Sequence, residues 1–143
     1  MRQARGRWNR YGEYGCLYTT LTRDGAVAEH RKAAHHAGLD PRETEPRDLV
    51  SILVTVAPVL DLTDARVRRR YQVTLAALRG DDEGDLETCR MIADIARAEG
   101  YRAILSPSAA RRGAQNLTIY LEGRAAKLRL VEGADREPLN YDR

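Results

Sequence analysis

Residues 101–132 read YRAILSPSAARRGAQNLTIYLEGRAAKLRLVE, and this stretch is the main evidence for a β-sheet in the protein. Three of its segments are rich in aliphatic, β-branched and aromatic residues: YRAILS at 101–106, NLTIYLE at 116–122 and AKLRLVE at 126–132. Runs of this kind, bounded by glycine, serine and other turn-forming residues, predict β-strands. We therefore predict three strands here, with a tight turn around Gly123 joining the last two.

Strands and helices alternate in the chain before residue 101. Apolar residues spaced three and four apart predict helices, and Asp24 and Gly38 are suitable residues to begin and end the first of them. A nearly continuous aliphatic run, interrupted by Pro58, predicts a buried strand. The predicted elements are a strand at 15–21, a helix at 24–37, a buried strand at 49–57 with an extended continuation at 59–62, a helix at 64–78 and a helix from Asp85 to Gly100.

This order of elements predicts an α/β (α+β) protein in which helices pack against one mixed, twisted sheet. The length of 143 residues is close to the commonest domain size, and a content of 43% hydrophobic and 31% charged residues is typical of a globular chain. We predict a single domain over residues 1–132, followed by a polar and frayed C-terminal tail over residues 133–143.

The sequence lacks the motifs and segments that are typical of several classes of protein. No apolar run reaches the roughly 18 residues needed to cross a bilayer, and residues 1–10 are polar and basic, so we expect a soluble cytoplasmic protein. Cys16 and Cys89 are predicted to be buried thiols, and without CxxC, HxxH or HExxH motifs no metal is expected. GxSxG, Walker and GxGxxG motifs are also missing.

Arginine dominates the charge of the chain. It supplies 22 of the 24 basic residues, and the net charge is +3. Because guanidinium groups bind phosphates and carboxylates in bidentate fashion, an anionic ligand and an acidic partner protein are both compatible with this charge. The arginines at 66–70 could also belong to a noncatalytic basic binding module. They wind around several helix faces without stacking aromatic residues, so a solvated face is the favoured interpretation, and we expect no direct binding of nucleic acid.

Four places combine polar side chains with apolar elements. Arg7 in GRWN could hold a phosphate or carboxylate, and Tyr18 could stack on a planar ring. Glu29 could be a buried carboxylate aimed at a sugar hydroxyl of a ligand or at a developing positive charge. The loop at 106–116 offers hydroxyls, guanidinium groups and flexible backbone between two predicted strands, where binding sites often lie. Each of these features also has a purely structural interpretation, and the residues alone leave that choice open.

The motifs taken in order resemble the RES domain family. GRWN at 6–9, LYTT at 17–20 and AVAE at 26–29 carry the first half of the resemblance. The second half consists of TCRMIAD at 88–94, GYRAILSPSA at 100–109 and NLTIY at 116–120. The resemblance implies a fold like that of ADP-ribosyltransferases and an enzyme that consumes NAD+ as its substrate, without a metal.

The same resemblance implies roles for individual residues. Arg7, Glu29 and Ser108 would be catalytic, and Arg7, Tyr18, Thr88 and Asn116 would bind NAD+. Cleavage of the nicotinamide–ribose bond gives the ribose oxocarbenium character, which a carboxylate such as Glu29 can stabilise. Members of the family usually carry a further strand with another arginine before GRWN, whereas only five residues precede Gly6 here. We expect that strand to be missing or replaced.

The function implied is that of a toxin from a toxin–antitoxin pair that depletes NAD+ by hydrolysis or phosphorolysis. Its expected partner is an antitoxin with an Xre-like DNA-binding part, and the sequence leaves a homo-oligomer open. One alternative is a mono-ADP-ribosyltransferase that uses the same site on a protein acceptor. The other, from a different class, is the noncatalytic basic module.

Overall fold

The structure, a computed structural model, describes residues 6–122, 126–130, 137–139 and 141. Its helices are α1 (Arg23–His36), α2 (Ala65–Arg70), α3 (Leu75–Arg79) and α4 (Glu83–Ala98), with a 3-10 helix at Pro41–Glu43. Its strands are β1 (Cys16–Thr20), β2 (Asp48–Leu49), β3 (Ile52–Val56), β4 (Val59–Asp61), β5 (Ala103–Pro107), β6 (Gln115–Tyr120), β7 (Ala126–Leu130) and β8 (Glu137–Pro138). This mixture confirms the predicted α/β (α+β) class.

A twisted, mixed sheet of four strands lies at the centre, in the order β1-β6-β5-β4. The β1–β6 and β5–β6 pairs are antiparallel and the β4–β5 pair is parallel. Since strands alternate their side chains with a period of two, Cys16, Tyr18 and Thr20 of β1 share a face with their partners on β6. That face therefore runs from an apolar end at Cys16 to a polar end at Thr20.

The main core forms between the apolar end of this face and α4. From the sheet, Cys16, Leu60, Ile104 and Tyr120 belong to the core cluster, and α4 adds Cys89, Ile92, Ala93 and Ala96. Both cysteines are free and buried, as predicted from the sequence. Asp82 caps α4 by accepting a hydrogen bond from the Asp85 backbone amide, and Gly100 follows the helix with a positive φ of 92°.

Three helix predictions need correction. The helix predicted to begin at Asp85 begins at Glu83, because Asp82 is its cap. The cap of α1 is Thr22, whose side chain accepts from the Gly25 amide, so the predicted start at Asp24 is wrong. The predicted single helix at 64–78 is broken into α2 and α3, because Gln72 takes a φ of 53° and the side chain of Thr74 caps a new helix. Apolar spacing alone does not reveal such a break.

The predicted buried strand at 49–57 is also wrong in part. It divides into β2 and β3, and β3 pairs with β7 in a separate two-stranded sheet where Leu53 remains 52% exposed. The cis peptide bond Ala57–Pro58 lies between β3 and β4, and β4 joins the central sheet. Because β7 pairs with β3, it does not form the expected hairpin with β6; the predicted turn around Gly123 lies outside the described residues.

The described part of the C-terminal tail packs on the domain, which differs from the frayed tail that we predicted. β8 pairs with β2, and Glu137 forms an ion pair with Arg23 at the start of α1. Further along the tail, Tyr141 stacks on His30 of the same helix. The described helices include none long and apolar enough to span a membrane.

Candidate functional site

Glu29 is the centre of a polar cluster at the polar end of the sheet. Its Oε1 atom accepts a hydrogen bond of 2.8 Å from Ser108 Oγ and one of 2.7 Å from Asn116 Nδ2. The three residues come from α1, from the loop after β5 and from the first half of β6. The structure thus brings three of the six predicted site residues into direct contact, with the two donors on one carboxylate oxygen.

Gly25 allows α1 to bring Glu29 this close to the sheet. It lies one helical turn before Glu29, and a Cβ atom there would be 2.4 Å from Thr20 Oγ1 and 3.4 Å from Ala114 Cβ. An added Cβ would therefore collide with the Thr20 hydroxyl of β1, which is itself bonded to the Gln115 carbonyl, whereas its contact with Ala114 in the loop that carries Ser108 would be ordinary. The glycine is required by this close approach.

Ser108 forms hydrogen bonds through both its side chain and its backbone, and it is almost fully buried. Its Oγ accepts hydrogen bonds of 3.1 Å from the backbone amides of Ala110 and Arg111, which leaves its proton for Glu29. Its backbone carbonyl accepts from Arg79 Nε at 3.0 Å, and its amide donates to the Ala114 carbonyl at 2.8 Å. The hydroxyl therefore has a fixed orientation before any ligand binds.

Arg7 lies in the tight turn formed by GRWN, in which Gly6 and Asn9 pair as a β-bridge. The buried Arg90 of α4 fixes this turn by donating from Nε to the Gly6 carbonyl at 3.0 Å. The Arg7 guanidinium donates to the Gly80 carbonyl at 2.7 Å and to Asp81 Oδ1 at 2.8 Å, and its side chain is only 15% exposed. It is a partly buried cation with defined partners.

Tyr18 connects the GRWN turn to the sheet. Its hydroxyl accepts from the Trp8 amide at 2.9 Å and donates to Asn9 Oδ1 at 2.5 Å, and a Cβ at Gly6 would lie only 2.3 Å from it. Burial of this end raises the pKa of the phenol, so it stays neutral. The residue as a whole is 46% exposed, which leaves the ring accessible.

The strand register places Tyr18 near the Glu29 cluster. Tyr18 is paired with Thr118, two residues from Asn116 on the same face of β6. Diagonal neighbours of this kind are roughly 7–8 Å apart, which is within reach of an aromatic side chain. Tyr18 and Asn116 therefore face the same side of the sheet as close neighbours.

Lys32 and Asp81, which the sequence did not single out, connect Arg7 to the Ser108 loop. Lys32 Nζ lies 2.8 Å from each Asp81 carboxylate oxygen, and it donates to the Ala109 carbonyl at 3.2 Å. Although burial raises the pKa of Asp81, Lys32 and Arg7 outweigh it and hold that pKa below its ordinary value. The only sequence signal for Lys32 was its position three residues after Glu29 on one helix.

Thr88 does not join these residues. Its hydroxyl donates to the Gly84 carbonyl of its own helix at 3.0 Å. Its side chain lines a different groove of about 590 Å³, together with residues such as Tyr71, Met91 and Tyr101. The motif resemblance placed Thr88 near the ligand, whereas its side chain lines this other surface.

A polar cleft opens beside the Lys32–Asp81 pair. Its volume is about 680 Å³, and α1 forms its floor while Asp81 and residues 109–111 form one wall. Within the described ranges, no group of three histidine, cysteine or acidic side chains could hold a metal ion. The cleft is lined by several cationic side chains, among them Arg31, Lys32 and Arg111, and by the Asp81 carboxylate. The neighbouring cluster adds the Glu29 carboxylate and its two hydrogen-bond donors.

Comparison with known proteins gives three matches. The model of the RES domain family matches residues 1–142. A probable NAD(+) phosphorylase of Mycobacterium tuberculosis is 36% identical over 116 residues, which are 81% of this chain and 53% of the relative. The crystal structure of the M. tuberculosis MbcT–MbcA toxin–antitoxin complex contains a chain with a similar fold. Its TM-score is 0.77 at 23% identity, and the match covers 94% of this chain and 71% of that one.

Proposed function

The chain belongs to the RES domain family, as its motifs predicted, and we propose that it is an enzyme that cleaves the nicotinamide–ribose bond of NAD+. The chain spans about half the length of the curated relative that it matches. This similarity to a probable NAD(+) phosphorylase supports NAD+ as the substrate here and phosphorolysis as the first reaction to test.

One observation carries the proposal: Ser108 and Asn116 both donate to Oε1 of Glu29. When the nicotinamide–ribose bond breaks, its electron pair leaves with nicotinamide, and positive charge develops on the ribose. A carboxylate that is already oriented stabilises this charge without having to reorganise during the reaction. No described residue donates to Glu29 Oε2, and this oxygen would face the ribose in our proposal.

Arg7 and Tyr18 would bind the pyrophosphate and the nicotinamide of NAD+, which lie on either side of the reacting ribose. Arg7 would neutralise the pyrophosphate, since guanidinium groups form short charge-assisted hydrogen bonds to phosphate oxygens. Tyr18 would stack on nicotinamide, because hydrogen bonds to Trp8 and Asn9 fix its hydroxyl end while the ring stays accessible. An aromatic ring held in this way loses little side-chain entropy on binding. Thr88 is left out of the proposed site because it lines the other groove.

Three acceptors could complete the reaction at the ribose: phosphate, water or a protein side chain. The acceptor decides whether the enzyme is a phosphorylase, a hydrolase or a mono-ADP-ribosyltransferase. The noncatalytic alternative is weaker, because Arg68 of the arginine cluster donates to the Leu62 and Thr63 carbonyls and so has a structural role. We therefore favour an enzyme with phosphate as the acceptor.

The biological role that we propose is that of a toxin restrained by a protein antitoxin. The similar fold of a chain in a toxin–antitoxin complex supports such a partner. An Xre-like antitoxin, a homo-oligomer and a cytoplasmic location remain predictions from the sequence. So does the division into a domain at 1–132 and a tail at 133–143.

The test is to incubate the purified chain with NAD+, with and without inorganic phosphate, and to identify the products. Phosphorolysis predicts free nicotinamide and a phosphorylated ADP-ribose that forms only when phosphate is present. Release without phosphate indicates hydrolysis, and ADP-ribose attached to protein indicates transfer. If no nicotinamide appears under any of these conditions, the proposed function is wrong.

A further inference from the structure

Arg7 and Lys32 share one carboxylate. Arg7 Nη2 and Lys32 Nζ each lie 2.8 Å from Asp81 Oδ1, and Lys32 Nζ lies 2.8 Å from Asp81 Oδ2 as well. The two cations come from the N-terminal turn and from α1, so only the folded chain brings them together. Their side chains are 15% and 23% exposed, whereas that of Asp81 is 44% exposed.

This geometry is that of an anion-binding site. Two partly buried cations converge on a single oxygen atom, which is how charged side chains commonly contact a phosphate oxygen. A carboxylate offers two oxygens and one negative charge, whereas inorganic phosphate and the two linked phosphates of NAD+ taken together offer more of both. The same pair of cations therefore suits a phosphate at least as well as it suits Asp81.

The position of Asp81 allows its side chain to move away from the Arg7 and Lys32 cations. It is the single residue between Gly80, which ends α3, and Asp82, which caps α4, so its backbone is held on both sides. Its side chain borders the polar cleft, which is open to solvent. Rotation of the side chain toward the cleft would release both cations without any change in the helices.

We propose that Arg7 and Lys32 form one phosphate-binding subsite, and that the Asp81 carboxylate occupies this subsite until a ligand phosphate displaces it. Asp81 thus acts as an internal competitor of the ligand. The inference rests on the proposed function only in naming the phosphate, which is either the pyrophosphate of NAD+ or the inorganic phosphate that accepts the ribose. Lys32 is then a second phosphate-binding residue beside Arg7.

The direct test measures binding without turnover. Binding of inorganic pyrophosphate, ADP-ribose and inorganic phosphate is followed by calorimetry at constant salt for the wild type, Asp81→Asn and Asp94→Asn. Asp94 is the matched control, because its carboxylate lies 2.9 Å from Arg10 Nε and is 41% exposed. Removing it makes the same change in net charge at a different place.

We expect Asp81→Asn to bind pyrophosphate about 3 to 10 times more tightly than the wild type, as expected when a partly exposed competing ion pair is removed. Asp94→Asn is expected to bind like the wild type. Adding Lys32→Gln to Asp81→Asn is expected to remove the gain. Asp81→Ser serves as a second variant, and its affinity is expected to rise like that of Asp81→Asn.

Two outcomes would overturn the inference. The first is unchanged or weaker pyrophosphate binding by both Asp81 variants in a folded protein. The second is an equal gain in pyrophosphate affinity in Asp94→Asn, which would show that the effect comes only from the change in net charge. The ligands tested also show which phosphate the subsite binds. Tighter binding of ADP-ribose indicates the pyrophosphate of NAD+, and tighter binding of inorganic phosphate alone indicates the phosphate that accepts the ribose. These measurements need no catalysis, so failure of the proposed function would be seen separately as a lack of nicotinamide release.

Discussion

Ser108 Oγ donates a 2.8 Å hydrogen bond to Glu29 Oε1, although the two residues are 79 positions apart in the sequence. The same hydroxyl accepts from the amides of Ala110 and Arg111. One side chain therefore closes the loop after β5 and orients the carboxylate on α1. Stability and activity are linked at this contact, because the group that would orient Glu29 also holds the loop together.

Replacing Ser108 by alanine is expected to destabilise the protein by about 1–2 kcal/mol, because two partly buried backbone amides lose their acceptor. The orientation of Glu29 is lost at the same time, so nicotinamide release is expected to fall as well. Urea unfolding measures the first effect and an NAD+ cleavage assay the second. Full stability in Ser108→Ala would mean that the loop does not depend on this hydroxyl.

Thr118 provides a matched control for Ser108. It is also buried, but its Oγ1 has no hydrogen-bond partner among the described residues. Thr118→Val removes this unpaired hydroxyl at nearly constant volume, so it is expected to be neutral or to stabilise the protein by about 1 kcal/mol. A loss of stability equal to that of Ser108→Ala would show that burial, rather than hydrogen bonding, determines the effect.

Replacing Gly25 by alanine is expected to lower both stability and activity. In most helices this change stabilises a protein by roughly 0.4–1 kcal/mol, because it reduces the freedom of the unfolded chain. Here the new Cβ would lie 2.4 Å from Thr20 Oγ1, so the sign reverses to a loss of about 1–3 kcal/mol. The displacement of Glu29 is expected to slow nicotinamide release at least about tenfold.

Gly84 is the matched control for Gly25. It is also in a helix, but the nearest contact for an added Cβ is Asp82 Oδ1 at 3.3 Å. Gly84→Ala is therefore expected to cost less stability than Gly25→Ala and to leave the position of Glu29 unchanged. If Gly25→Ala proved stabilising and fully active, α1 would not need its close approach to β1.

The pH dependence of stability is expected to reflect Asp81. Burial raises the pKa of its carboxyl, but Lys32, Arg7 and His36 together hold it below the ordinary 3.8. The unfolded chain therefore takes up the proton first as the pH falls, and the stabilisation by ionised Asp81 is complete above 3.8 and lost below it. Wild type is expected to be more stable than Asp81→Asn at pH 7, and the difference should vanish as the pH falls below 3.8.

Urea unfolding of both proteins between pH 7 and pH 3 measures this difference. Asp94→Asn corrects for the change in net charge. A stability difference that stays constant over the whole range would contradict the assignment, because it would not depend on ionised Asp81.

Three of the residues named from the sequence, Glu29, Ser108 and Asn116, converge in the candidate site, and each lies in a local motif. The helix with Glu29, the loop with Ser108 and the strand start at Asn116 each have a recognisable pattern, and the family resemblance gave their order. Their convergence follows from the antiparallel pairing of β1, β5 and β6. The strand pairings themselves were not predicted, and the one that was expected, between β6 and β7, does not form in the described residues.

The features that the sequence missed depend on tertiary contacts. Asp81 lies in a short acidic loop that looks solvated, and only the packing of the α3–α4 connection against α1 brings it to Lys32. The aliphatic run of β3 predicts a strand but not its partner β7, which lies far away in the sequence. Thr88 is in a matching motif, yet its side chain lines another groove.

Glu29 has the decisive role in the proposed cleavage, and a comparison of Glu29→Gln with Glu99→Gln tests that role. Glu99 is a fitting control, because it also accepts a hydroxyl hydrogen bond, from Tyr71 at 2.6 Å, but lines the other groove. With equal thermal stability, nicotinamide release from NAD+ is expected to fall at least about 100-fold in Glu29→Gln and to stay unchanged in Glu99→Gln. Release by folded Glu29→Gln at the wild-type rate would show that cleavage does not need the Glu29 carboxylate.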